Sequence, residues 1–204
     1  MVDTVPRPCG SRALLFEVGS AAEVAAIVSA VRAAELPEVT ELVPAARTVL
    51  VEVASGASLD RVRDAARSAD PAAGRAGTGT LHTIPVTYDG ADLELVARTA
   101  GISPEEVVNL HSGAEYGVDF CGFAPGFGYL SGLPEPLRQP RLESSRTAVP
   151  AGSVGIADVY SCVYPRRSPG GWRLIGHTDV VLFDPGAESP SLFTPGDRVR
   201  FEVR

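Results

Sequence analysis

From Ala114 to Arg204, glycine and proline interrupt the chain every few residues, and this punctuation limits the fold more than any other feature. Pro125-Gly126, Pro169-Gly170-Gly171, Pro185-Gly186 and Pro195-Gly196 leave room only for short strands between turns. Strands of that kind predict a closed β-barrel or a sandwich.

The first part of the chain has a different pattern. Residues 12–84 read as β-α-β-β-α-β. Ala13 to Val18 is a strand that Gly19 ends. Ser20 and Glu23 form a capping box, in which each side chain satisfies a free backbone donor of the helix start. Val24, Ile27, Val28 and Val31 follow at one-face helical spacing. Val39–Val43 and Thr48–Val53 are strands, Ser58 opens a helix with Leu59, Val62 and Ala66 inward, and Asp70–Gly79 is a loop. Leu81–Thr87 returns as a strand, which completes an α+β, ferredoxin-like order. The predicted division is a ferredoxin-like domain over residues 1–84 and a mainly β domain over residues 85–204. The second domain opens with two helices. Asp89 caps one that Gly101 stops. Ser103-Pro104-Glu105-Glu106 starts the other, which ends near His111.

Composition excludes several functions. The net charge of -7 is unlike that of a nucleic-acid binder. No apolar run approaches the ~18 residues of a membrane-spanning helix. Met1-Val2-Asp3-Thr4 lacks the basic-then-apolar pattern of a signal peptide, so a cytoplasmic location is expected. Three widely spaced cysteines argue against a disulfide framework. Lysine is absent, so neither a P-loop lysine nor a Schiff-base lysine is available. Anions must be held by arginine, backbone N–H groups, hydroxyls or a metal ion. No metal-ligand motif such as H-E-x-x-H or C-x-x-C occurs, and no G-x-S-x-G elbow.

The densest chemical feature is Cys121-Gly122-Phe123-Ala124-Pro125-Gly126-Phe127-Gly128-Tyr129-Leu130. Its glycines leave the backbone bare and its aromatic rings add flat apolar faces. A loop of this type offers N–H groups to an anion and walls to a small ring. It also suits a plug at the end of a barrel. Phe123, Pro125, Gly126, Phe127 and Gly128 are candidate substrate-binding residues on the first view. Six arginines lie between Arg138 and His177, opposed only by Glu143 and Asp158. Arg166 and Arg167, in a turn, read as ordinary surface charge. Arg141 and Arg146 bracket a Ser-Ser pair and lead into Val149-Pro150-Ala151-Gly152-Ser153. They are candidate anion-holding catalytic residues, because guanidinium forks onto carboxylate or phosphate, and Gly152 and Ser153 beside them are candidate substrate-binding residues. His111 sits near a helix end, where it either complements the C-terminal dipole or moves a proton. His177 follows a strand and is a candidate substrate-binding residue at the barrel mouth, while His82 reads as structural.

Several ordered motifs resemble one family. They are Ser112-Gly113-Ala114-Glu115-Tyr116, Gly122 to Leu130, Val149 to Val154, Tyr164-Pro165, Ser168-Pro169-Gly170-Gly171-Trp172, Leu182-Phe183-Asp184-Pro185 and Pro195-Gly196-Asp197-Arg198-Val199. The chain is similar to the family of the 5-oxoprolinase B subunit, also called allophanate hydrolase subunit 1 or the KipI family. The resemblance implies a cyclophilin-like β-barrel after a small α+β domain. It implies work beside a homologous C subunit and a further A subunit, and ATP-driven opening of the 5-oxoproline lactam to glutamate. Mg²⁺ would accompany ATP. On that chemistry Arg141 and Arg146 take anionic groups, N–H groups around Gly126 and Gly128 meet developing negative charge, Phe123 and Phe127 wall the ring, and His111 moves a proton.

The chain also departs from the family. Asp158-Val159-Tyr160-Ser161-Cys162 stands where many members have Gly-Gly-Gln-Thr-Gly, His177 where many have arginine, and Ser145-Arg146 where Pro-Arg is commoner. These departures bear on the substrate rather than the fold. Two other functions remain compatible with the resemblance. One is a component of an allophanate hydrolase or urea carboxylase-type carboxyltransferase. The other is a KipI-like inhibitor of a sensor histidine kinase.

Overall fold

The computed structural model describes Val2, residues 4–72 and residues 79–204. The chain divides into two compact units, Met1–Ala76 and Gly77–Arg204. Residues 73–78 of the expected loop lie outside the described residues.

The first unit is a four-stranded antiparallel sheet with two helices. Its strands are β1 (Arg7–Cys9), β2 (Ala13–Glu17), β3 (Val39–Pro44) and β4 (Thr48–Val53), in the order β1-β2-β4-β3. Helix α1 (Ala21–Ala33) starts where the sequence places it. Glu23 N–H donates to Ser20 Oγ at 3.3 Å, and Gly19 N–H donates to the Glu23 carboxylate at 2.8 Å. The expected stripe of Val24, Ile27, Val28 and Val31 is buried and packs with Leu14, Phe16, Val49 and Val51 of the sheet. Helix α2 (Asp60–Arg67) adds Val62 and Ala66 to the same core.

The ferredoxin-like order needs one correction. The strand expected to close the first unit, β5 (Leu81–Val86), belongs to the second unit instead. It pairs in parallel with β13 (Arg198–Val203), from Leu81 opposite Arg198 to Val86 opposite Val203. The edge beside β2 is taken by β1. Alternating burial fixes which face of β5 points inward, but it carries no information about the partner strand. The partner here lies at the far end of the chain. Asp197 secures the pairing: its Oδ1 accepts from Thr80 N–H at 2.9 Å, and its Oδ2 lies 3.0 Å from His82 Nε2. The division between units therefore falls ahead of this strand rather than after it.

In the second unit β5 is followed by α3 (Leu93–Ala100) and α4 (Pro104–Ser112). The remaining strands are β6 (Glu115–Cys121), β7 (Gly128–Ser131), β8 (Arg146–Val149), β9 (Ser153–Ala157), β10 (Tyr160–Val163), β11 (Ser168–Gly170) and β12 (Arg173–His177), ending with β13. Seven strands form one sheet in the order β12-β9-β10-β7-β6-β13-β5. Thr87, just past β5, exchanges both backbone hydrogen bonds with His177 of β12, so the sheet nearly closes into a barrel. Strands β8 and β11 form a separate ribbon. Tyr116, Leu130, Ile156, Ile175 and Phe201 fill the barrel core. Helix α4 starts at Ser103 as expected, with Glu106 N–H donating to Ser103 Oγ at 3.1 Å. Helix α3 ends at Gly101 in the left-handed region (φ 72°), but it begins at Leu93, four residues after the expected cap Asp89.

Strand β10 separates two apolar clusters by its period of two. Val163 belongs to the barrel core, whereas Tyr160 and Cys162 join a second cluster with Phe127, Tyr164 and Trp172. The candidate site is built on that second cluster. No helix among the described residues is long and apolar enough to cross a membrane.

Candidate functional site

The glycine-rich segment between β6 and β7 is a compact turn. Gly122 N–H donates to Phe127 O (3.1 Å), Ala124 N–H to Gly122 O (2.8 Å) and Phe127 N–H to Ala124 O (3.0 Å). This geometry separates the two phenylalanines. Phe127 is buried, while Phe123 is 59% exposed and holds a φ of 66°. That conformation is rare for a bulky side chain and costs on the order of 1–3 kcal/mol. The two rings still meet edge to face, with centroids 5.2 Å apart.

Phe127 is the hub of an aromatic wall. Its ring meets Tyr129 at 5.1 Å, Tyr164 at 5.4 Å and Trp172 at 5.7 Å, all near edge-to-face geometry. Tyr164 comes from the residue after β10, and Trp172 precedes β12. Gly170 is required between them, because a Cβ at that position would collide with Tyr164 Oη. Together with Arg141, Ser145, Pro169 and Gly171, these residues enclose a cavity of about 230 Å³.

Arg141 brings the charge. Its backbone is fixed on both sides: Pro140 O accepts from Arg173 Nε at 3.0 Å, and Leu142 N–H donates to Gly171 O at 2.8 Å. Among the described residues its guanidinium makes no hydrogen bond and no salt bridge. Burial pushes the Tyr129 and Tyr164 phenols up, and the Arg141 charge opposes that rise at both. Both phenols are therefore neutral donors at physiological pH, facing one uncompensated cation. Such a pocket suits a small ring bearing one anionic group: carboxylate on guanidinium, ring on aromatic walls, polar edge on phenols.

The structure thus brings Phe123, Phe127 and Arg141 together and places the other candidates elsewhere. His111 needs correction as a proton carrier. It is wholly buried in the barrel core, with Nδ1 2.8 Å from Tyr88 Oη and Nε2 2.9 Å from Ser161 Oγ. Burial lowers its pKa to about 3, so it is neutral, and neither nitrogen faces the pocket. Arg146 needs the same correction, because its guanidinium is already paired. Nη2 donates to both oxygens of Asp92 at 2.7 and 2.8 Å, and Nη1 to Trp172 O at 3.3 Å. Gly126 and Gly128 do not line the cavity: a Cβ at Gly126 would meet Leu182 and Phe183, and one at Gly128 would meet Phe193. Pro125 is exposed on the same turn but does not line the cavity. Gly152 (φ 78°) allows a close approach to Thr178 O, and Ser153 is a buried residue of β9. His177 is exposed and pairs with Asp89, Nδ1 to Oδ1 at 2.7 Å.

Sequence reasoning missed Tyr129, Ser145, Tyr164, Gly170, Gly171 and Trp172 as lining residues. The available signal was the second glycine-proline turn with its own aromatic flanks, Tyr164 and Trp172, which matches the composition of the first. It also missed Asp92, whose role depends on a partner far away in sequence. No group of three His, Cys, Asp or Glu suited to a metal ion occurs among the described residues. A larger cleft of about 330 Å³ lies in the first unit between the end of α1 and β3. It lacks the aromatic walls of the site described here.

The sequence and the barrel-like fold that carry this pocket match a known class. A family model for the carboxyltransferase domain, subdomain C and D, matches residues 5–193, and the chain belongs to that family. Within it, the chain is similar to the 5-oxoprolinase B subunit of Escherichia coli O157:H7, with 44% identity over 175 residues, 83% of this chain and 80% of that one. It is 49% identical to the 5-oxoprolinase B subunit of Bacillus subtilis (strain 168) over 121 residues, 58% of this chain and 50% of that one. Among solved structures it is similar to TTHA0988, with a TM-score of 0.81 and 36% identity. That match covers 95% of this chain and 40% of the TTHA0988 chain, so this polypeptide spans about two fifths of that relative.

Proposed function

We propose that the chain is the B subunit of a 5-oxoprolinase and that the Arg141 pocket binds 5-oxoproline. The observation that carries this reading is the unpaired Arg141 guanidinium beside neutral phenols and aromatic walls, in a family whose similar members are named for that activity. The substrate is a flat lactam ring with one carboxylate. Arg141 takes the carboxylate, Phe127 and Trp172 flank the ring, and the Tyr129 and Tyr164 hydroxyls donate to its carbonyl oxygen.

A lactam carbon is a poor electrophile, and ATP changes that. The carbonyl oxygen takes the γ-phosphoryl group as the bond to ADP breaks. Water then adds to the ring carbon, and the C–N bond breaks as the nitrogen takes up a proton. A second water releases inorganic phosphate from the acyl phosphate and leaves glutamate. This chain's contribution is to orient the ring and exclude stray water. Among the described residues Arg141 is the one cation lining the pocket, which leaves the triphosphate to other surfaces of the complex. A Mg²⁺ ion brought by ATP would keep phosphate and water ligands, since the described residues gather no carboxylate cluster for it. The A and C subunits of the enzyme are the partners of this reading.

The test is purification with the neighbouring subunits, followed by an ATPase assay with 5-oxoproline, urea and allophanate. ATP turnover that depends on 5-oxoproline and yields glutamate is the expected result. Turnover with urea or allophanate alone would overturn the reading, as would tight binding to a sensor histidine kinase without turnover.

A further inference from the structure

Asp92 is only 5% exposed, and both of its carboxylate oxygens are engaged. Arg146 Nη2 lies between them, and Oδ2 also accepts from Leu174 N–H at 2.7 Å. Arg146 Nη1 continues to Trp172 O. One carboxylate therefore straps together the start of α3, the start of β8 and the segment 172–174. All three attachments adjoin the pocket: Ser145 precedes Arg146, Trp172 is a wall, and Gly171 O holds Leu142 beside Arg141. The strap also settles the local charge. Arg146 is compensated by Asp92, whereas Arg141 has no such partner among the described residues.

We propose that Asp92, acting through Arg146, is a positioning residue of the pocket: it fixes the Ser145–Trp172 wall and leaves Arg141 as the one cation lining the cavity among the described residues, which selects a small monoanion. The selection of substrate rests on the 5-oxoproline reading; the positioning does not. A buried acid that only stabilised the fold would set thermal stability without setting which anions bind. A positioning acid sets both, because removing its charge releases the guanidinium of Arg146, the residue that follows Ser145 of the cavity wall.

The test uses Asp92→Asn in the full chain with its partner subunits. The expected result is a KM for 5-oxoproline raised about tenfold or more, with kcat changed less than about threefold. Calorimetry should also show that the variant binds inorganic phosphate, a dianion, at least about tenfold more tightly than the parent. The double variant Asp92→Asn/Arg146→Gln should lose that phosphate binding again. An unchanged KM, no gain of phosphate binding, or phosphate binding that survives the second substitution would each overturn the proposal. If Asp92→Asn does not fold, Arg146→Lys keeps the charge but loses the reach to Trp172 O. It should raise KM without creating phosphate binding, and an unchanged KM there overturns the proposal equally. The phosphate measurement needs no turnover. A parent complex inactive on 5-oxoproline, with the phosphate gain still present, would remove the functional reading and leave Asp92 as a positioning residue.

Discussion

Tyr88 Oη lies 2.8 Å from His111 Nδ1, and Ser161 Oγ lies 2.9 Å from the ring's other nitrogen. The hydroxyl of Ser161 also reaches Gly155 O, so it accepts from Nε2–H, and Nδ1 accepts from Tyr88. The ring stacks on Phe201 with centroids 4.5 Å apart. A neutral imidazole fits this arrangement and a charged one does not. Burial lowers the pKa from 6.5 to about 3, so between those values the unfolded chain binds a proton that the folded chain refuses. Stability is full above about pH 6.5 and is lost as pH falls toward about 3, by at most ~1.4 kcal/mol per pH unit from this group. His111→Leu should flatten that slope while costing about 1–3 kcal/mol near neutrality, because two buried hydroxyls lose a partner. Urea midpoints measured from pH 7 to pH 4 check both effects. Parallel slopes in the two proteins would contradict the buried neutral histidine.

Phe123 is held at φ 66° and is 59% exposed, so its own unit gains little from the side chain. Glycine at this position relieves the backbone strain and loses little packing. Phe123→Gly should leave stability within about 1 kcal/mol of the parent, since relief of strain and the added freedom of the unfolded chain roughly cancel. Turnover on 5-oxoproline should nevertheless fall about tenfold or more, because one ring at the pocket is gone. Thermal melting and steady-state kinetics on the same preparation separate the two. A large loss of stability with unchanged kinetics would make Phe123 a structural residue.

Gly170→Ala places a methyl group against Tyr164, whose Cε1 and Cζ would both lie 2.9 Å from the new Cβ. The ring must turn, and Phe127 and Trp172 pack on it or beside it. Trp172 is the only tryptophan, so its emission reports the pocket directly. The substitution should shift that emission and cost about 1–3 kcal/mol, the usual range for overpacking. Unchanged fluorescence would mean that Tyr164 moves aside freely.

Local signals were legible in the sequence and long-range ones were not. The boxes Ser20/Glu23 and Ser103/Glu106 act within one helical turn, so sequence spacing determines them. Gly101 ends its helix for a reason that a single residue carries. Strand β5 shows the limit: its alternation identifies a strand, but its partner β13 is more than a hundred residues away. The same limit separates Arg141 from Arg146. In sequence they are two arginines around a serine pair, and what distinguishes them is Asp92, 54 residues upstream of Arg146. Asp89 is the expected cap of that helix, and nothing in the local spacing singles out Asp92 three residues later. His111 followed the same logic, since helix position does not show that Tyr88 and Ser161 converge on its two nitrogens.

Arg141→Ala is the most direct test of the pocket. The guanidinium has no hydrogen-bonding or salt-bridge partner among the described residues, so its removal should change folding stability by no more than about 0.5 kcal/mol. Its loss should instead weaken the grip on a carboxylate by about 2–3 kcal/mol, which lowers kcat/KM for 5-oxoproline by roughly 30- to 150-fold. Arg141→Lys should recover only part of that loss, because an ammonium cannot present two parallel N–H groups to the carboxylate. Titrating 5-oxoproline against Trp172 fluorescence measures binding apart from turnover, since the indole lines the same cavity. A parent whose fluorescence responds and an Arg141→Ala variant whose fluorescence does not is the expected pair. Equal responses from both would mean that the carboxylate is held elsewhere.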